Sequence, residues 1–387
     1  MVAEFDAHKP ATAFAHDITL VLALELSGKA WDLGAIVPGV GRRPKRRLEV
    51  GSVDQVLGSI DRWRQESERQ GHRIARVALT YEAGRDGFWL ARALERHGIE
   101  VHVMHASSVA VERAGRRAKT DRLDLDMLLG AFLCWLRGEP RACRMVRVPS
   151  AAEEDARLAG RSREVVIKER LAVENRIENL LCLQGISGFK PRLKKAVERL
   201  ETLRCFSGEA VPPRLLDELR RLMALHRLLS EQLAALEAAR DRVVTVEDPD
   251  REERMIQLLA NFYGLGIETA TVLVREVLCR SFKDRRAIAA FVGLTGTPFC
   301  SGGTEREQGI SKQGNPRVRA ILQQLAWRWI RFQPQSALSQ WFALRTGGQK
   351  GRLRKIMAVA LARKLLVMLW RYVETGVIPE NIRLVAP

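Results

Sequence analysis

DITLVLALELS, residues 17–27, is an apolar run of strand length interrupted near its end by one carboxylate, Glu25. A run this short, rich in Leu and Val and closed by small and polar residues, reads as a buried strand. Working outward, AWDLGAIV and RRLEVG are two further short strands, with the basic turn Arg42-Arg43-Pro44-Lys45-Arg46-Arg47 between them. An amphipathic helix is expected over roughly 53–71, then the strand IARVALTY, a helix at 86–98, the strand EVHVMH and a helix from near Thr120. Three strands in succession, followed by alternation of strand and helix, predict a mixed sheet covered by helices. Residues 1 to 16 read as a loose leader to an α/β domain covering 1–150.

Beyond that domain the character changes. Residues 151–250 are rich in Leu, Ala, Glu and Arg at helical spacing, as in LLDELRRLMALHRLLSEQLAALEAARDRVV, and predict a helical or coiled-coil arm interrupted by LQGISGFKPR. Such an arm either mediates dimerisation and spaces domains, or folds back as an internal helical hairpin. Residues 251–387 read as a third, mostly helical domain, in which FYGLGIETATVLV places glycines before a helix as in one hairpin of a helix-hairpin-helix element. The last stretch, from 340, carries nine basic residues against two acidic ones. A solvated helix face explains such a run, and so does a phosphate-contacting one.

Charge narrows the partners. Lys and Arg total 64 against 46 Asp and Glu, a formal net charge of +18. A chain this basic attracts polyanions, and nucleic acid is the expected one, ahead of an anionic membrane. No apolar run reaches the ~18 residues a membrane helix needs, and the polar N-terminus lacks a signal-peptide pattern, so a soluble, cytoplasmic protein is expected. The six cysteines form no CxxC pair and read as reduced thiols; the seven histidines give no zinc spacing, and His102 and His105 read as structural.

Four acidic residues stand where a sheet of this order gathers ligands. Glu25 lies late in the first strand, where a buried carboxylate is costly unless paired or bound to a cation. Glu82 follows IARVALTY at a C-terminal strand end, the edge that borders the ligand crevice in open α/β sheets. Asp121 and Asp124 open a helix at i and i+3, on one face; Asp126, at i+5, points elsewhere. Converging carboxylates repel one another, and hard divalent cations such as Mg²⁺ relieve that while leaving positions open for phosphate oxygens. Arg113, Arg116, Arg117 and Lys119 make the approach to the Asp pair basic. Taken singly, Asp121 is also a good helix-start residue and Glu82 a plausible loop carboxylate.

The segment FVGLTGTPFCSGGTEREQGISKQGNPRVRA carries a second signal. Ser301-Gly302-Gly303 allows close approach of backbone to a ligand. Asn315 and Pro316 suit a helix start, and Arg317 and Arg319 beside its positive end make an anion site. Ser301 is a candidate nucleophile towards phosphorus, although a Gly-Ser turn is the commoner meaning of such a string.

These segments together resemble one family. LALELSGKAW, TYEAGRDGFW and KTDRLDLDMLL, then FYGLGIETATVLVREV and AAFVGLTGTPFCSGGTEREQGISKQGN, are similar to the DEDD transposases of bacterial insertion sequences, over about residues 18 to 375. The resemblance implies an RNase H-like (RuvC-like) catalytic domain and metal ligands, Mg²⁺ or Mn²⁺, at Glu82, Asp121 and Asp124. It places Glu25 at a first acidic position that is usually Asp. It also implies Ser301, with Ser311 as fallback, as the serine that attacks DNA. It further implies donor and target DNA as substrates, a structured guide RNA that reads sequence by base pairing, and dimers or tetramers in which one subunit's serine meets another's carboxylates. Two other readings remain open: a junction-resolving nuclease that uses water, and a catalytically inactive binding relative.

Overall fold

The computed structural model describes residues 10, 12–84, 87–108, 121–139, 141–301 and 304–385. It divides into two units, Met1–Ser150 and Ala151–Pro387. In the first, β1 (Thr19–Leu26), β2 (Trp31–Ile36) and β3 (Lys45–Leu48) run in succession. They are followed by α1 (Val53–Arg69), β4 (Arg76–Glu82), α2 (Trp89–Glu95), β5 (Glu100–Met104), α3 (Asp121–Leu136) and β6 (Met145–Val146). The sheet order is β3-β2-β1-β4-β5-β6. β1–β4 and β4–β5 are parallel and the remaining pairs antiparallel, so the sheet is mixed, as expected. The two-residue β6 had no signal in the sequence, the helix expected at 86–98 is shorter, and Glu82 is the last residue of β4 rather than the first beyond it.

Both faces of the sheet are covered, which explains why 17–27 reads as a continuous apolar run. Leu20, Leu22 and Leu24 point to one side and pack with Val56, Ile60 and Trp63 of α1 and with Leu90 and Leu94 of α2. Val21 and Ala23 of β1, Ala78 of β4 and Met104 of β5 point to the other, under Leu125, Leu129, Phe132 and Trp135 of α3. Burial of side chains of this size stabilises by about 1.5–3 kcal/mol each. The period of two therefore assigns odd residues of β1 and even residues of β4 to the α3 face.

The second unit is helical apart from one hairpin. It comprises α4 (Ala151–Cys182), α5 (Ala196–Glu201), α6 (Pro213–Asp241), α7 (Arg251–Ala260), α8 (Ile267–Leu273) and a π-helical turn, Val274–Leu278. Then come α9 (Arg285–Val292), β7 (Gly296–Ser301), β8 (Thr304–Ile310), α10 (Pro316–Phe332), α11 (Ala337–Thr346) and α12 (Arg352–Thr375). Helices α4 and α6 fold back on each other through Val166, Val173 and Ile177 against Leu219, Leu222 and Leu229, an internal helical hairpin. A second core gathers α7 to α12 around Phe262, Trp329, Leu365 and Tyr372.

Candidate active site

The parallel register of β1 and β4 pairs Ala23 with Thr80 and Leu24 with Tyr81. Continued by one residue, this register sets Glu25 beside Glu82 on neighbouring strands, whose backbones lie about 4.8 Å apart in a sheet. Glu25 shares its face with Val21 and Ala23, and Glu82 shares its face with Ala78, so both stand on the α3 side at the C-terminal ends of adjacent parallel strands. Both are half-buried, and both have interaction partners. Antiparallel pairing puts Asp32 of β2 directly opposite Glu25. Asp32 lies on the same face, because a Cβ on Gly34, two residues along, would meet Leu125 and Leu129 of α3. Sequence reasoning passed over Asp32, whose place depends on the β1–β2 register.

α3 opens with the Asp121–Asp124 turn. Asp124 is half-buried, and the side chain of Asp121 lies outside the described residues, as does the basic approach Arg113, Arg116, Arg117 and Lys119. Among the described residues no three acidic, His or Cys side chains gather at metal-binding distance. Asp126 forms an ion pair with Lys45 of β3 at 2.5 Å. His102 is structural: its Nε2 lies 2.6 Å from Glu100 and its ring packs on Phe132 and Trp135. The described cysteines are free thiols, and burial, aided by nearby Cys134, pushes Cys143 up to about 12.

The serine segment is a β-hairpin. Ser301 ends β7 and pairs with Thr304 of β8; the side chain of Ser301 and the turn residues 302–303 lie outside the described residues. Ser311, just past β8, donates its backbone N–H to Thr295, 2.9 Å away. The expected anion site at the start of α10 is not borne out. Asn315 itself caps the helix, accepting from the N–H groups of Arg317 and Val318. Arg317 is spent internally: it donates to Glu164 at 2.5 Å, to the Gly160 carbonyl at 2.9 Å and to Glu276 at 3.3 Å. Arg319 donates to the Val292 carbonyl at 3.0 Å. Sequence shows the arginines but not these partners, which lie between 27 and 157 residues away.

Glu276 is the residue that sequence reasoning missed here. It sits in the π-helical turn, only 4% exposed, and takes hydrogen bonds from Arg161 at 3.1 Å and from Asn315 at 2.9 Å. Burial pushes its carboxyl up, but Arg161 and the charges of Arg317 and Arg157 outweigh that and hold it below the usual range. The only sequence signal was an acidic residue within an apolar helical run.

The family model for the IS116/IS110/IS902 transposases matches residues 256–340, from α7 through the hairpin to α11. A transposase of Sinorhizobium fredii, y4rJ, is 39% identical over 398 aligned residues, spanning 100% of both chains. The transposase for insertion sequence element IS1328 of Yersinia enterocolitica is 28% identical over 222 residues, 56% of this chain and 62% of that one. A family 20 transposase of Pseudomonas aeruginosa is 27% identical over 241 residues, 62% of this chain and 68% of its own. By class the molecule is a transposase. It belongs to the IS116/IS110/IS902 family.

Proposed function

We propose that this transposase cuts and rejoins DNA strands of an insertion sequence, using a carboxylate-held divalent metal on an RNase H-like sheet and Ser301 as nucleophile, with a structured RNA selecting donor and target. One observation carries the reading: the β1–β4 register runs to Leu24 and Tyr81, so Glu25 and Glu82 follow it side by side on the face covered by α3, whose first turn bears Asp121 and Asp124. Glu25, Glu82, Asp121 and Asp124 would hold the ion, and the donor set fits, being all hard carboxylate oxygens. Glu25 in place of Asp keeps that chemistry with a longer reach. Mg²⁺ or Mn²⁺, when bound, supplies positive charge against phosphate oxygens.

Ser301 Oγ attacks phosphorus; its proton passes to a base, the P–O bond to the sugar breaks, and the sugar oxygen leaves as a hydroxyl. The phosphoserine link conserves the bond, so the reverse attack rejoins a strand. Ser311 is the fallback. The family resemblance supports a dimer or tetramer and the RNA guide.

The test is a cleavage and trapping assay on element-end DNA. Ser301→Ala should remove the covalent protein–DNA adduct yet leave binding intact, and Asp124→Asn should stop strand cleavage by at least 10²-fold, the order expected when a group essential to transition-state stabilisation is lost. Full recombination by Ser301→Ala would sink the serine. Cleavage without any adduct would favour hydrolysis by water.

A further inference from the structure

Beside the carboxylate edge lies an open cleft of about 650 Å³, formed by the β2–β3 hairpin with Asp32 and Leu125. We infer that this cleft binds the phosphodiester backbone of the DNA strand that runs into the carboxylate edge, an inference that rests on the proposed reaction only for which strand lies there.

The charges are arranged for this. Arg42 is tied to Glu66 at 2.6 Å, Lys45 to Asp126 at 2.5 Å, and Arg46 donates to Ser59 at 3.2 Å. Those contacts set the shape of the hairpin. Arg43 and Arg47 also line the cleft, are exposed, and have no ion-pair partner among the described residues. Five basic residues within six positions repel one another, and a polyanion relieves that repulsion. A guanidinium fork matches two phosphate oxygens.

Position gives the ligand. Arg47 pairs across with Asp32, and Asp32 with Glu25, so all three stand on the α3 face. Arg47 is thus two strand spacings, about 10 Å, from Glu25. A backbone lying on Arg43 and Arg47 continues onto the edge where Glu25 and Glu82 meet. That continuity points to the cut DNA strand rather than to a guide RNA.

The experiment uses the full chain, a labelled DNA duplex and EDTA, with affinity measured against salt. Arg43→Ala with Arg47→Ala should lower the slope of log affinity against log salt by about 1.8 and weaken binding about 30-fold at about 0.15 M salt, the loss of two phosphate contacts. The control, Arg62→Ala with Arg69→Ala, removes the same charge from exposed residues of α1 on the opposite face of the sheet and should leave the slope unchanged. An unchanged slope in the first variant, or an equal fall in the control, overturns the cleft. A loss confined to RNA of matched length overturns the DNA assignment. Because binding is read without divalent ions, a slope loss in a protein that never forms a serine–DNA link would keep the cleft and dismiss the proposed reaction.

Discussion

Glu100 shows how a single residue couples this sheet to solvent pH. Arg76 donates to both its oxygens, at 2.7 and 2.8 Å, and His102 reaches one of them at 2.6 Å. Burial pushes the carboxyl up, but these partners outweigh it and hold the group at about 2, against an ordinary 4.5. A carboxylate whose folded value lies below its unfolded one stabilises the fold fully above the unfolded value and loses that contribution as pH falls. Stability should therefore decline between pH 4.5 and about 2. Partial exposure reduces the contribution to about 1–2 kcal/mol. Urea unfolding of Glu100→Gln across that window should show a flatter acid limb than the parent chain; identical limbs would count against the role given to Glu100.

At the scale of elements, two backbone segments press together beneath the serine hairpin. Gly293 ends α9 at φ +75, and a Cβ there would meet the Gln313 carbonyl oxygen at 1.8 Å. Gly314 precedes α10 at φ +101, and a Cβ there would meet the Phe291 carbonyl oxygen at 2.1 Å. Neither obstacle is a flexible side chain, so Gly314→Ala combines a left-handed backbone with a steric clash and should cost about 2–4 kcal/mol, seen as a lowered unfolding midpoint. A change below about 0.5 kcal/mol would mean that the segments part easily. Much of the sheet was legible beforehand. Leu20, Leu22 and Leu24 alternate with Val21, Ala23 and Glu25, and apolar strands broken by amphipathic helices imply the mixed order. What was hidden depended on pairing: Glu25 beside Glu82, and Asp32 opposite. The hairpin was hidden because SGGTEREQG has no apolar residue and carries three glycines, which weakens every strand signal. The roles of Arg317 and Arg319 were misread because a cation near a helix start looks the same whether its partner is a ligand or a distant Glu164.

Across the second unit, ion pairs join the helical hairpin to the helices that follow it. Arg161 and Arg317 meet at Glu276, Arg317 also holds Glu164, and Arg163 and Arg240 share Glu268. Glu276 is the buried member; its removal takes from Arg161 its carboxylate partner and from Arg317 one of its three, while Arg317 keeps Glu164 and Glu268. Glu276→Ala should destabilise the chain by about 1–3 kcal/mol in urea unfolding, with Glu276→Gln less damaging because it keeps an acceptor for Arg161. Equal losses in both variants would assign the effect to packing instead of charge.

In the first unit, backbone hydrogen bonds between β1 and β4, not closeness along the chain, keep Glu25 and Glu82 together. The intervening turn at Gly71 is exposed, with open space around its Cα. A passenger domain spliced into that turn would hang clear of the acidic edge yet share the mechanical root of β4. Evolution or an engineer could therefore hang an external throttle on this transposase without redrawing its chemistry.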